Sequence, residues 1–588
     1  MKTKNYILGI VVAIALLSPI SCKNFLEMPA QTGFNKDLVF SNYRDTEIFL
    51  YSLYQSVPKI MYGWANNIML FGPSRVSLSD EAISGVYSGF TTNSLYAGAV
   101  TSAWFTTRNG EDVYDTHWKS IRNNFIMLEN IDKVPDASAE VKGRIKGECQ
   151  ILIAVEYFEM WKRYGGIPII KGSMTPADYE IIKRQSLDAV YKYIIELCDA
   201  VIANPNIPAK VTNPLEFGRA TKALAYGLKA RTMLYAASPL FNAATPYLDF
   251  GQNNNLICFT NYDKNRWKLA MDAALQAIQF CESNGYAIVT NVGINRNYTI
   301  AVQKRPKDGN TEIIWGTMYN SSLEGANGGP DYMWGMRGRQ GGAGANTPTQ
   351  NAVEMYHNVD GSSVNWDVKI TTPPNQPEFP YKNLEPRFQQ TIGYNGCLWY
   401  TNPNFYPQFY NGGEAGVANG LEGMKATPVV GNYSMRKYFI DYEKSKSGMW
   451  PMNPVMRLAE MYFIYAEASN EFQGPTSQAF DLLDVIRTRS GMPKVDRSLN
   501  QAGLRAFLVN ELFVEFYAED HRYYDMRRWK IPGVKTIYNV NVLKFLNNTY
   551  TYEKYVSQTR VWNEYWFMHP FPLTEITKNY GLIQNPGW

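Results

Sequence analysis

Glu511-Leu-Phe-Val-Glu515-Phe-Tyr-Ala-Glu519-Asp520-His521-Arg522-Tyr-Tyr-Asp525-Met-Arg527-Arg528-Trp529 gathers acids, bases and aromatics into one run. Glu511, Glu515 and Glu519 recur every four residues, which predicts one side of a helix. Leu504, Phe507, Leu508 and Leu512 mark its apolar face. The pattern looks like chemistry, but the spacing argues otherwise. A carboxylate-bridged di-iron site needs Glu-x-x-His on facing helices, whereas Glu519 and His521 are two apart and point away from each other. His-Glu-x-x-His is absent, and His117, His357, His521 and His569 are dispersed. The run therefore reads as a partly buried ion network of Glu511, Glu515, Arg522, Asp525 and Arg527, with Arg522, Arg527 and Arg528 pairing with these acids and with Glu460 or Glu467. Such a network fixes helix packing and calls for no metal and no cofactor.

Helical spacing extends both ways from this run. Upstream it resumes at Arg457 and is broken only at Gly474-Pro475 and Gly491-Met-Pro493. In the first half, apolar periodicity predicts helices over 45–53, 113–131, 144–164, 186–202, 221–237 and 267–282, the third stopped by Gly165-Gly166 with Pro168 behind it. Between Asn284 and Pro454, glycine, proline, asparagine and aromatics dominate, with only short β-like stretches such as Thr311 to Trp315. This predicts a loop-rich, small-hairpin region set into a helical scaffold. The tail after Trp529 reads as irregular.

The N-terminus carries an export pattern. Lys2 and Lys4 precede the apolar run Ile7 to Leu17, which as a helix would span about 17 Å, too short for a membrane of ~30 Å. Net charge is +4, and no long Lys or Arg run occurs, so no nucleic-acid partner is indicated. Cys149, Cys198, Cys258, Cys281 and Cys397 are odd in number and widely scattered, and read as buried single thiols.

No catalytic constellation emerges. Asp80-Glu81 is the most tempting carboxylate pair, yet adjacent helical residues diverge by about 100° and cannot straddle a glycosidic bond; Asp80 reads as a helix cap or turn residue. The Gly335–Gly344 cluster lacks the lysine and Ser/Thr of a phosphate loop.

Long motifs carry a resemblance. Arg457-Leu-Ala-Glu460-Met-Tyr-Phe-Ile-Tyr465-Ala-Glu467-Ala, the 511–529 run and Gln584-Asn585-Pro586-Gly587-Trp588 resemble the SusD/RagB family of outer-membrane nutrient-binding lipoproteins. So do Gly147-Glu148 through Tyr164-Gly165-Gly166-Ile167-Pro168, and Gly218-Arg219-Ala-Thr221-Lys222 through Ser238-Pro239. The resemblance implies a mainly α fold, a tetratricopeptide-like helical scaffold with the loop-rich insertion. It implies a signal peptide over 1–21, a helical part over 22–283, the ligand-binding insertion over 284–456 and a C-terminal part over 457–588, with 22–588 as one compact unit. Ser21-Cys22 resembles a lipoprotein signal, which makes Cys22 the lipidated residue of a surface-exposed outer-membrane protein.

By this resemblance the protein is not an enzyme. It captures an oligosaccharide or polysaccharide and hands it to a SusC-like TonB-dependent transporter; peptide capture is the alternative, and glycan cleavage the least supported reading. Sugars need flat rings for their C–H face and amides or guanidinium groups for their hydroxyls. With 41 tyrosines and 14 tryptophans in the chain, two glycine- and serine-rich stretches supply both. These are 87–107, with Tyr87, Tyr96 and Trp104, and 318–339, with Tyr319, Asn320, Tyr332, Trp334 and Arg337. Trp64, Asn67 and Trp399-Tyr400 are weaker candidates.

Overall fold

The computed structural model describes residues 35–57, 75–83, 97–98, 101–103, 114–174, 182–318, 336, 346–401, 404–412, 432–439 and 452–588. Cys22 and the signal segment lie outside them.

The helices of the first half follow the apolar periodicity: α1 (Tyr43–Leu53), α2 (Tyr114–Asn130), α3 (Ala139–Tyr164), α4 (Leu187–Ala203), α5 (Lys222–Ala237) and α6 (Asn265–Ser283). Polar side chains at their starts take up orphan backbone N–H groups: Asn42 caps α1, Ser138 α3, Ser186 α4 and Thr221 α5. Gly165 ends α3 at φ +76°, and a Cβ there would sit 2.4 Å from the Leu256 carbonyl, so only glycine fits.

Each helix packs on its successor, α2 on α3 and so on to α6. After a short α7 (Asn297–Gln303) and α8 (Pro386–Thr391), the array continues with α9 (Leu458–Gln473) on α6, then α10 (Ser477–Arg489), α11 (Gln501–Phe516) and α12 (His521–Arg528). This is a tetratricopeptide-like row of helix pairs, mainly α as the resemblance implied. One apolar core runs through it, from Leu50 through Trp161 and Leu228 to Leu512 and Phe571.

A second core lies beneath the insertion, built from Val76, Tyr381, Phe388, Trp399, Tyr433 and others, and closed by Phe513, Val514, Tyr517 and Ala518. Strand β1 (Ile313–Met318) pairs antiparallel with β2 (Met452–Arg457). The tail departs from the sequence reading: β3 (Thr536–Lys544) and β4 (Tyr550–Thr559) form a hairpin, Thr536 opposite Thr559 and Lys544 opposite Tyr550, flanked by 370–371 and 411–412. The β-branched and aromatic residues Ile537, Tyr538, Val540 and Val542 before the Asn547-Asn548 turn, and Tyr550, Tyr552, Tyr555 and Val556 after it, are a strand signal that the irregular reading passed over.

The 511–529 run is not one helix. The chain leaves α11 at Tyr517, takes left-handed conformations at Ala518 (φ +59°) and Asp520 (φ +70°), and restarts at His521. All five cysteines after Cys22 are buried and free. Among the described residues, no helix is long and apolar enough to cross a membrane.

Candidate functional site

α11 occupies the seam between the two cores. Leu504, Leu508, Leu512 and Phe516, spaced by four, face the helical core, while Phe513, Val514 and Tyr517 face the second. Glu511 and Glu515 lie between, out of water, and need charge partners from both sides. Glu515 meets Arg387 (3.2 Å), Arg457 (3.1 Å) and Arg489 (2.5 Å), and Glu511 meets Arg387 and Arg487, each at 2.7 Å. Glu519, in the turn rather than on the helix, still joins, taking Arg457 (2.7 Å) and Lys437 (2.6 Å). With Glu385 on Arg387 and Glu312 on Arg457 and Arg489, five acids face five cations.

Burial alone would raise the Glu515 pKa, but Arg489, Arg457 and Arg387 outweigh it and hold the carboxyl at about 2. Burial also lowers Lys437 to about 8, against the pull of Glu519. His521 is pushed down by burial and by Arg231, Arg457 and Arg528, which keeps it neutral, and it stacks on Phe516 at 4.3 Å.

The pairing differs from the sequence reading at three places. Arg522 does not join the α11 glutamates; it binds Asp80 through Nε (2.9 Å) and Nη2 (2.8 Å), so Asp80 is a buried ion-pair partner rather than a cap. Arg528 does take Glu467, together with Asp525, but Glu460 goes to Arg231. Arg527 finds no carboxylate among the described residues; its guanidinium lies over the Tyr523 ring. The seam partners Glu312, Arg387, Lys437 and Arg489 went unrecognised, since nothing in the spacing around them distinguishes a buried ion from a solvated one.

The frame pins the stubs of the candidate binding loops. Ala82–Ile83 pairs antiparallel with Thr347–Pro348, so the chain entering the first loop lies beside the chain leaving the second. β1, which enters the second loop, lies against β2. The turn between α11 and α12 grips both neighbours: the Ala518 N–H donates to Glu81 Oε1 (2.7 Å), Tyr517 Oη to the Glu81 carbonyl (3.0 Å) and Tyr438 Oη to the Ala518 carbonyl (2.8 Å), while Arg75 pairs with Asp520. Glu81 is pushed up to about 8 by burial, against its bonds from Ala518 and Ser79 and with Asp80 adding to the rise. Ser79 Oγ lies 2.9 Å from both the Val76 carbonyl and Glu81 Oε2 and can donate to either, and it accepts from the Glu81 N–H (3.1 Å).

The residues named for ligand contact, Tyr87, Tyr96, Trp104, Tyr319, Asn320, Tyr332, Trp334 and Arg337, all lie outside the described residues, as do Trp64, Asn67 and the Tyr400 side chain. Trp399 is buried with its ring against Gly393, where a Cβ would meet it at 2.3 Å, so it packs the second core. An open groove of about 690 Å³ lies elsewhere, between α2, Ile170, Gly172, Met174 and Ile182 on one side and 574–580 on the other. Trp118 and Tyr580 give it ring faces, and Lys119, Arg122 and Glu575 a charged rim. Among the described residues, no group of three or more His, Cys, Asp or Glu is arranged to hold a metal.

Comparison with known proteins agrees with this architecture. Residues 311–588 match the model of the SusD family, and residues 76–234 match a model described as starch-binding associating with outer membrane. A SusD-like protein P25 from Formosa agariphila is 21% identical over 608 residues, covering 100% of this chain and 98% of that one. A solved SusD-like protein from Bacteroides fragilis superposes with a TM-score of 0.72 at 22% identity, covering 94% of this chain and 98% of its own. A SusD-like carbohydrate binding protein from the same species superposes with a TM-score of 0.69 at 20% identity, covering 92% and 99%. With both halves matched and the helical row shared end to end, the chain belongs to the SusD/RagB family.

Proposed function

We propose that this protein is a non-catalytic, cell-surface glycan-binding lipoprotein of the outer membrane, which captures oligosaccharide by aromatic stacking and delivers it to a SusC-like TonB-dependent transporter. The observation that carries the reading is its membership of a family whose matched model is described as starch-binding and outer-membrane-associated. The frame supports it mechanically: the two aromatic candidate loops spring from adjacent stubs, Ala82–Ile83 and Thr347–Pro348, held by buried ion pairs. Rigid stubs lower the ordering cost of binding a flexible sugar. The Asp80-Glu81 pair is committed to Arg522, Ser79 and the Ala518 N–H, which speaks against a glycosidase role.

Trp104→Ala and Trp334→Ala test the site. A stacking ring contributes on the order of 1 to 3 kcal/mol to binding, so each variant should bind at least roughly tenfold more weakly while melting within a few degrees of wild type. A packing ring would instead cost about 3 to 5 kcal/mol of folding stability. Calorimetry against glycans selected on an array reads the affinity, and normal binding by both variants refutes this placement. Binding that strengthens with peptide charge and weakens sharply with salt makes the ligand a peptide.

The anchor has its own test. Cys22→Ala should leave a folded protein that no longer partitions with membranes, since acyl chains would be the attachment. A wild-type protein that stays on membranes without incorporating labelled fatty acid refutes lipidation at Cys22.

A further inference from the structure

Of the three arginines on α12, Arg522 is held by Asp80, and Arg528 by Glu467 and Asp525. Arg527 is different. It is 8% exposed, donates from Nη1 to the Tyr523 carbonyl at 3.0 Å and lies 3.4 Å from the centre of the Tyr523 ring. Its Nε has no acceptor. A buried guanidinium without a counter-charge is costly, and at Arg522 and Arg528 the chain offsets that cost by supplying carboxylates.

Two further donors beside it are unmatched. Trp562 Nε1 and Trp566 Nε1 are buried atoms with no acceptor, and Trp566 is only 4% exposed. The three groups line one pocket of about 30 Å³, with Arg560 on its wall and no Asp or Glu among the described lining residues. Arg560 donates to the carbonyls of Ser79 and Ala82, which holds its guanidinium against the pocket wall. Gly533 closes one side, and a Cβ there would sit 2.6 Å from the Trp562 ring, so the indole is seated against bare backbone. Exposed Val561 and half-exposed Val534 form the rim.

We propose that this pocket is an oxyanion subsite that takes the head of a carboxylate or of an inorganic oxyanion such as sulfate. Both offer several acceptor oxygens to converging N–H groups and compensate Arg527 by charge-assisted hydrogen bonds. The pocket is small, with about 30 Å³ for the centres of water-sized groups where one water needs ~10 to 15 Å³, so the anionic head enters and the body of a larger ligand stays beyond the rim. Ser79 on the wall leads directly into the Ala82–Ile83 stub, which places the pocket at the root of the first candidate loop. An acidic sugar would therefore present its carboxylate there, whereas a free anion would occupy the pocket alone. The site goes beyond the glycan reading, because an inorganic anion tests it with no sugar present.

The experiment is calorimetry and thermal melting of the whole protein with sodium sulfate, sodium glucuronate and glucose, at ionic strength held constant with sodium chloride. Saturable binding of sulfate or glucuronate is expected, with none of glucose; glucuronate binding points to acidic sugars, and sulfate alone to a free anion. Arg527→Gln should weaken it by roughly tenfold or more, and Trp566→Phe, which removes the N–H together with one ring of the indole, by a few-fold, each compared in protein shown to be folded by its circular dichroism. If Arg527→Gln does not fold, Trp566→Phe carries the comparison. Absence of saturable binding by both anions, or anion affinity unchanged in the folded variants, overturns the proposal.

Discussion

Glu515→Ala is expected to lower the stability of the protein by about 3 to 5 kcal/mol, because it leaves the Arg387, Arg457 and Arg489 guanidinium groups facing each other out of water with one counter-charge fewer. The side chains of all four residues are 0 to 1% accessible, so solvent cannot take over the role of the lost carboxylate. Glu515→Gln should fall between, since an amide restores hydrogen bonding but not charge. Urea denaturation at neutral pH reads the loss as a shifted midpoint at unchanged slope. A midpoint displaced by less than about 1 kcal/mol would show that the seam is not held by charge, and unchanged stability with lost ligand binding would make the cluster functional. The pH dependence has the matching sign. With its folded pKa lowered to about 2, Glu515 contributes stability that is present above its unfolded value and disappears as pH falls from about 4.5 to about 2.

Glu81→Gln should act in the opposite direction. In the folded protein the Glu81 carboxyl keeps its proton up to about pH 8, while the unfolded chain releases it near 4.5. Stability is therefore fully present below the unfolded value and declines as pH rises towards 8, at about 1.4 kcal/mol per unit. Glutamine has no proton to lose; its oxygen can accept from the Ala518 N–H, and its NH2 group can donate to Ser79 Oγ, whose own proton then goes to the Val76 carbonyl. Between pH 5 and pH 8 the variant should gain about 3 to 4 kcal/mol on the wild type. His357, lowered by burial, adds a separate change on the acid side of the ordinary imidazole range. The difference between the two proteins is thus the quantity to follow, and denaturation curves that stay parallel across the range would rule out a protonated Glu81.

The legible part of this fold was the part written in local periodicity. The helices at 114–130, 187–203 and 222–237 follow their apolar spacing to within a residue or two, and α11 showed both its apolar face and its Glu511–Glu515 stripe. What escaped the reading depends on partners remote in sequence. Nothing near Ala518 or Asp520 announces a left-handed turn; it exists because Glu81, Tyr438 and Lys437 hold the backbone there. Arg527 looks like Arg522 and Arg528 in sequence, and only the pocket that receives it shows that no acid is supplied among the described residues. The hairpin at 536–559 was a misjudged local signal, whose Asn547-Asn548 turn separates two stretches rich in β-branched and aromatic residues.

Asp80 and Arg522 stand 442 residues apart, and Arg75 and Asp520 further still. A chain emerging N-terminus first can pack α2 to α6 on one another as they appear, because those contacts are local. The anchor for residues 75–83 does not yet exist at that stage; it arrives only with α12, long after the segment it must hold. Closing so large a loop is slow. The order of assembly that this topology favours runs from scaffold to grip: the helical row forms from local contacts, and the entrance to the first candidate loop is fixed only once the C-terminal part is in place.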